Sequence, residues 1–438
     1  MNSELTGNAF DLAPLEEKKA APGAKSFPEL PPETMVHRLI DYAVQIGASD
    51  VFFNCSDSEV EVSARHLGVV RQIAMLPSDA GFRCMGFIRA AAGMRFHEKR
   101  EPQDGRWLRR LPNGRVLDMR LNTMPTIYGE SFAIRLLERN SQLTKLENLG
   151  FVGPQLGMLL SMLQSPSGMI LVTGPTGAGK TTTLYACLEY LNDGRRKIHS
   201  IEDPVEYTLP GIRQSQVDEV NGPDYPHLLR SVLRQGPDVI MIGEIRDKVA
   251  AETAIRAANS GQLVFATLHA PVAAAAVQSL LGLGIPPYFV CTSLLGVIGQ
   301  RLVRTLDPKT RTPVDLSDAP RTFEEIRQWL EPEDGQVIYA AGQNGENGAN
   351  GDGHNGIENH HSTEGFIGRT GVFEVMALTP PVRKMIRERQ PASAIMQKAI
   401  EEGMLDLRRA AMVKVAKGVT SFDELLRVVP TGDLWIDE

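Results

Sequence analysis

From Glu33 the apolar positions Met35, Val36, Leu39, Ile40, Ala43 and Val44 recur at helical spacing, and Gly47 stops the run. Alternating segments follow near 50–54, 58–63 and 67–75, the pattern of strands with one face buried. Ser78 then stands where it would cap a second helix, which ends near Gly93. Three further strand-like runs, at 106–110, 115–124 and 130–138, are punctuated by Asn113-Gly114 and Tyr128-Gly129. These elements predict a small α+β domain over 33–138, with residues 139–150 as a linker behind it.

Beyond Phe151 the apolar runs become short and continuous: Met169–Thr173, Lys197–Ile201, Asp238–Ile242 and Leu263–Thr267, with helical segments between them. Continuous rather than alternating runs mark strands buried on both faces, so 151–306 reads as an α/β domain on a parallel sheet. Residues 340–362 form an Asn/Gly/His-rich tract that cannot pack a core. Phe366–Met376 is again strand-like, and helices run to about Val429, which gives a mostly helical C-terminal subdomain over 307–438. Residues 1–32 are rich in Pro, Ala and charge, without the pattern of a signal peptide, and are expected to be disordered.

Length and charge narrow the functional classes. The 438 residues, 42% hydrophobic and 23% charged, suffice for two or three domains with cores. A net charge of -7 supplies no basic field, which counts against nucleic acid as a partner. No run reaches the roughly 18 apolar residues of a membrane span. The nearest, Tyr288–Gly299, is shorter and contains Thr292 and Ser293. Membrane association is therefore expected only through a partner. Cys55, Cys84, Cys187 and Cys291 are scattered without CxxC spacing, as structural thiols of a reducing compartment are.

The sharpest chemical signal is Gly174-Pro175-Thr176-Gly177-Ala178-Gly179-Lys180-Thr181, which follows the strand MILVT and opens the helix TTTLYACLEYL at Thr181 and Thr182. This is GxxxxGK[ST] in its strand–loop–helix context. The glycines let successive N–H groups turn toward one anion at a helix N-terminus. Lys180 then reaches the β- and γ-phosphates of ATP, and the Thr181 hydroxyl is placed to ligate Mg²⁺. The alternative, a plain glycine turn with a solvated lysine, leaves the register of strand, loop and helix unexplained.

An open parallel sheet binds its ligand at the C-terminal ends of its strands. Two acidic clusters stand there, Glu202-Asp203-Pro204-Val205-Glu206 and Glu244-Ile245-Arg246-Asp247. ATP hydrolysis needs one carboxylate near Mg²⁺ and one that orients or deprotonates water, and position alone does not say which acid does which. Asp247 and Glu202 are also readable as helix caps or solvated loop charges. Thr267-Leu268-His269 closes the last strand; the histidine either senses the γ-phosphate or is a polar group satisfied within the sheet edge.

These residues together resemble the ATPases of type II secretion and type IV pilus assembly, from about Glu33 to Val429. Four motifs stand in the family's order: GPTGAGKTTTLY, IEDPVE, DVIMIGEIRD and GQLVFATLH, followed by GQRLVRTL and GRTGVFEV. The resemblance implies a RecA-like P-loop ATPase domain behind a PAS-like domain, a ring of six copies, and an inner-membrane platform protein as partner. It implies a cytoplasmic protein peripheral to the inner membrane. It assigns Glu206 as the catalytic glutamate and Glu244 as the acid near Mg²⁺. It also implies that Arg120 and Arg135, in DMR and IRL around MPTIYGE, complete a nucleotide site from the small domain.

The departures from the family pattern carry expectations too. Members commonly hold a four-cysteine zinc site after the RLVR segment, whereas here Leu306 leads to Asp307 and no cysteine follows Cys291. No zinc is expected. His354, His360 and His361 in the polar tract read as solvated histidines rather than metal ligands. Phe52 stands after Ala48-Ser49-Asp50-Val51, where the family often has histidine. Residues 1–32 are too short for the N-terminal extension that docks many members onto a membrane platform. Pilus retraction, or ATP binding with negligible turnover, remain the alternative readings of the same residues.

Overall fold

A computed structural model describes residues 30–96, 100–111, 114–138, 144–218, 222–316, 321–342 and 365–429. The chain divides into two units, 1–138 and 139–438. In the first, Pro32 opens helix α1 (Pro32–Gln45), a position where its missing N–H costs nothing. Order therefore begins before the expected limit of disorder, and residues 1–29 lie outside the described residues. Strands β1 (Asp50–Cys55), β2 (Glu59–His66) and β3 (Val69–Pro77) lead to helix α2 (Ser78–Ala91), then to β4 (Gln103–Arg110), β5 (Val116–Thr126) and β6 (Gly129–Glu138). Ser78 does not cap α2: β3 runs straight into the helix, Pro77 occupies the cap, and no side chain bonds the first turn.

The six strands pair antiparallel in the order β3-β2-β1-β6-β5-β4. One face carries Val51, Phe53, Val62, Leu117, Met119, Phe132 and Ile134, buried against Val36 and Ile40 of α1 and Cys84 and Ile88 of α2. Alternation turns the residues between them to the other face. Register then lines up Arg65, Asp50, Arg135, Arg120 and Arg106 across five neighbouring strands.

The second unit begins inside the expected linker. Leu146 and Leu149 are buried in its core, and the Gly371 N–H donates to the Leu149 carbonyl at 2.9 Å. Its elements are α3 (Gln155–Leu163), β7 (Gly168–Thr173), α4 (Lys180–Leu191), β8 (Ile198–Glu202), β9 (Arg213–Gln216), α5 (Tyr225–Leu233), β10 (Val239–Ile242), α6 (Lys248–Asn259), β11 (Leu263–Leu268), α7 (Ala273–Gly282) and α8 (Pro287–Ser293). There follow β12 (Leu294–Leu306), an antiparallel pair of β13 (Thr312–Asp315) and β14 (Val337–Ala340), β15 (Phe366–Ala377), and helices α9 (Pro380–Arg387), α10 (Ala392–Glu401), α11 (Leu407–Ala416) and α12 (Phe422–Val428).

Seven strands form one sheet in the order β15-β12-β7-β11-β10-β8-β9, parallel except for β15. Every residue of β7, β8, β10 and β11 is buried, as the continuous apolar runs require for β7, β10 and β11, whereas β8 buries the polar His199, Ser200 and Glu202. Leu184, Tyr185 and Leu188 of α4 cover one face; α6, α7 and α11 cover the other. The expected boundary at 306/307 is corrected here. β15 pairs with β12 along its length, and a single apolar core joins the sheet to the C-terminal helices. The apolar stretch Tyr288–Gly299 divides between α8 and β12. No helix among the described residues is long and apolar enough to cross a membrane. Of the polar tract, Ala340 belongs to β14, and His354, His360 and His361 lie outside the described residues.

Candidate active site

The phosphate loop leaves β7 and enters α4 on three glycines with positive φ: Gly174 at 147°, Gly177 at 77° and Gly179 at 87°. Gly174 has a second constraint, since a Cβ there would lie 2.5 Å from the Gln300 carbonyl of β12. Gly174→Ala is expected to cost about 1–3 kcal/mol of stability from backbone strain alone, and to weaken nucleotide binding, read by calorimetry and a thermal melt. Gly179 is the N-cap of α4, and no side chain accepts from the helix's first turn. Those N–H groups are thus left to an outside acceptor, the arrangement that suits an anion.

Lys180 is half-buried and its Nζ donates to the carbonyls of Gly174 at 2.8 Å and Pro175 at 3.1 Å. Burial pulls its pKa below the ordinary lysine value; nearby Glu244 opposes that shift and Arg301 adds to it. Two cations set against one carboxylate, beside free backbone donors, match a polyphosphate carrying a divalent ion. Thr181, second residue of α4, and Glu244 carry side-chain oxygens of the type a hard divalent cation takes.

At the neighbouring strand ends the acids separate by environment. Glu244 is gripped on both oxygens, by His269 Nε2 at 3.1 Å and by Arg246 Nε at 3.0 Å, and Arg246 also reaches Asp203 at 3.3 Å. The His269 side chain is half-exposed and turned to Glu244, so it is not a group satisfied within the sheet. Glu206 is held through its backbone, whose N–H donates to the Tyr185 hydroxyl at 3.4 Å. Its carboxylate has no hydrogen-bond or ion-pair partner among the described residues. Asp247 is the N-cap of α6 and accepts from the Ala250 N–H at 2.8 Å.

Glu202 is neither a cap nor a solvated charge. It is buried and accepts from the Tyr185 hydroxyl, Ser200 and, at 3.1 Å, Gln214. Burial and this carboxylate push the Tyr185 phenol well above its usual range, so the hydroxyl stays a donor. Its task is to fix α4 against β8, which sets where the loop bearing Glu206 leaves the sheet.

Two residues of β12 complete the floor of the site. Gln300 Nε2 donates to the Ala178 carbonyl at 2.7 Å and so supports the phosphate loop from below. Arg301 is buried, donates to the Pro271 carbonyl at 2.7 Å, and has its pKa lowered by that burial. Both lie within the motif GQRLVRTL, but nothing in the spacing pairs Gln300 with a loop 122 residues earlier or Arg301 with Pro271, 30 residues earlier. In the other unit, Arg120 and Arg135 are direct cross-strand partners on the open face of the six-stranded sheet.

The profile of the family described as "Type II/IV secretion system protein" matches residues 28–427. The chain belongs to this family. Among its members, the type IV pilus assembly ATPase PilB of Pseudomonas aeruginosa is 34% identical over 419 residues, 96% of this chain and 71% of that one. Type II secretion system protein E of Dickeya dadantii is 36% identical over 394 residues, 90% of this chain and 75% of the relative. The fold is likewise shared with solved structures. The ATPase DotB of Legionella pneumophila superposes with a TM-score of 0.64 at 18% identity, covering 92% of this chain and 96% of DotB. The pilus retraction motor PilT, solved with bound ADP, gives 0.58 at 22% identity over 91% and 97% of the two chains. The phosphate loop, Glu244 and His269 thus sit in a secretion-family ATPase core.

Proposed function

We propose that this chain is a motor subunit that hydrolyses ATP to drive assembly of a type II secretion pseudopilus or a type IV pilus. The observation that carries the chemistry is the meeting of Lys180, Glu244 and His269 at one edge of the parallel sheet. Lys180 and the N–H groups of Gly177 to Thr182 bind the β- and γ-phosphates. Thr181 and Glu244 would hold Mg²⁺, which would supply neutralisation of phosphate charge. His269, fixed by Glu244, reports on the γ-phosphate. Glu206, with its carboxylate unengaged, takes the proton of the attacking water. Arg120 and Arg135 are delivered to the transferring phosphoryl by the small domain. The working form is a homo-hexamer acting on an inner-membrane platform protein, with the chain peripheral to that membrane.

The division between the two acids is open to a direct test. Glu206→Gln keeps the shape but loses the base, so hydrolysis should fall by about 10²–10⁴-fold while ATP binding stays near normal. Glu244→Gln should instead weaken Mg²⁺-dependent binding and release His269. Steady-state phosphate release with titration calorimetry at several Mg²⁺ concentrations separates them. Near-normal hydrolysis in Glu206→Gln beside a dead Glu244→Gln reverses the two roles.

A further inference from the structure

The loop that carries His269 is held from the far side of the sheet. Thr173, Gly299 and Glu374 lie in one lateral row with Leu268, on β7, β12, β15 and β11 respectively. The Thr173 hydroxyl accepts from the Ala270 N–H at 2.9 Å and lies 3.0 Å from the Leu268 carbonyl. Arg301 donates to Pro271, the next residue. The carboxylate of Glu374 then accepts from the N–H of Ala273, the first residue of α7. Three side chains from three strands thus fix Leu268, Ala270, Pro271 and Ala273 around the single histidine between them.

Glu374 is the unusual member of this set. It is fully buried, it crosses the sheet over Gly299, and its Oε2 has no hydrogen-bond partner. Burial pushes its carboxyl up to about 7, against the pull of the Ala273 N–H; Asp406 adds to the rise, while Arg301 and the Leu407 N–H oppose it. Ala273 and Leu407 begin α7 and α11, so two helix N-termini face one buried acid. Gly299 makes the crossing possible, because a Cβ there would collide with the Glu374 carboxylate. A core needs no acid at that point for packing, and an apolar residue would avoid the desolvation. The acid is explained if the loop's exact placement matters to the chemistry.

We propose that Glu374 is a positioning residue for ATP hydrolysis, fixing the His269 loop at α7 and coupling it to the C-terminal helix α11. The inference rests on the reading of His269 as the group that reports on the γ-phosphate. It acts on turnover rather than on nucleotide affinity, since the phosphate loop is held separately by Gln300.

The test uses the full chain with Glu374→Ala, Glu374→Gln, Gly299→Ala and His269→Ala, each followed by kcat, KM for ATP, binding of a fluorescent ADP analogue and a thermal melt. Glu374→Ala should lower kcat about 10- to 100-fold, with KM and ADP affinity within about twofold. Glu374→Gln keeps an acceptor for Ala273 and should restore most of the loss. Gly299→Ala leaves the acid in the chain but displaces it, and stands in if Glu374→Ala does not fold. Combined with His269→Ala, either substitution should add little, because both act through the same side chain. A folded Glu374→Ala or Gly299→Ala with wild-type kcat overturns the inference, as do losses that multiply in the His269→Ala background. Wild-type turnover in His269→Ala overturns the underlying reading of the histidine instead.

Discussion

Lys180→Ala is expected to bring ATP turnover to background while the protein stays folded. The ammonium is the one flexible cation within the phosphate loop, and it is only half-buried, so the fold does not depend on its packing. Its hydrogen bonds go to the carbonyls of buried Gly174 and exposed Pro175, and the second lies where water can replace it. Loss of a preorganised donor to developing phosphate charge is worth on the order of 10²–10³ in rate by itself. Here Lys180 also carries the ground-state contact, and binding should weaken in parallel. Phosphate release, ADP binding and a thermal melt on the same preparation decide it. A folded Lys180→Ala with wild-type turnover would remove the loop from the chemistry and, with it, the proposed function.

How much of this was readable from residues depends on distance along the chain. The phosphate loop is local: strand, glycines, lysine and helix lie within one short segment, and every part has a sequence signal. Strands β7, β10 and β11 are equally plain, because full burial on both faces leaves nearly uninterrupted apolar runs; β8 is not, since it buries His199, Ser200 and Glu202. What failed to show was pairing at long range. Gln300 under Ala178 and Glu374 against Ala273 join β12 and β15 to segments 122 and 101 residues away, and Arg301 under Pro271 joins β12 to the loop after β11, 30 residues away. The same limit misplaced the boundary at 306, since the pairing of β15 with β12 leaves no local mark. Glu202 was misjudged for a related reason: its partners Tyr185 and Gln214 come from elements on either side of it, and only their convergence buries the charge. Arg120 and Arg135 were assigned by family resemblance alone, and the structure adds the register that makes them neighbours.

That register sharpens the second large expectation. Arg120 and Arg135 face each other across β5 and β6, and direct cross-strand partners have Cβ atoms about 5 Å apart. Like charges so placed destabilise a sheet by a fraction of a kcal/mol, roughly 0.2–1. Asp50 offsets part of this, accepting from Arg135 Nε at 3.4 Å and from Arg65 Nε at 3.3 Å. Arg106 is committed to Asp118, with contacts of 2.8 and 2.5 Å. Arg120 has no hydrogen bond or ion pair among the described residues, so it gains least from the sheet and is the freest to meet an anion. If the pair serves only the surface, Arg120→Ala should relieve repulsion and leave turnover unchanged. If the small domain delivers the pair to the γ-phosphate, either substitution removes an arginine finger, worth roughly 10³–10⁵ in rate. The expected result joins the two: Arg120→Ala as stable as the parent or slightly more so, with turnover down by orders of magnitude and ADP affinity nearly kept. Arg135→Ala should match it in rate but lose a little stability, because Asp50 keeps the Ser49 hydroxyl and Arg65 but loses one of its two ion-pair partners among the described residues. Phosphate release, ADP binding and chemical denaturation on both variants and the double mutant distinguish the outcomes. Unchanged turnover in the double mutant would take the small domain out of the active site and leave the proposed motor without its coupling element.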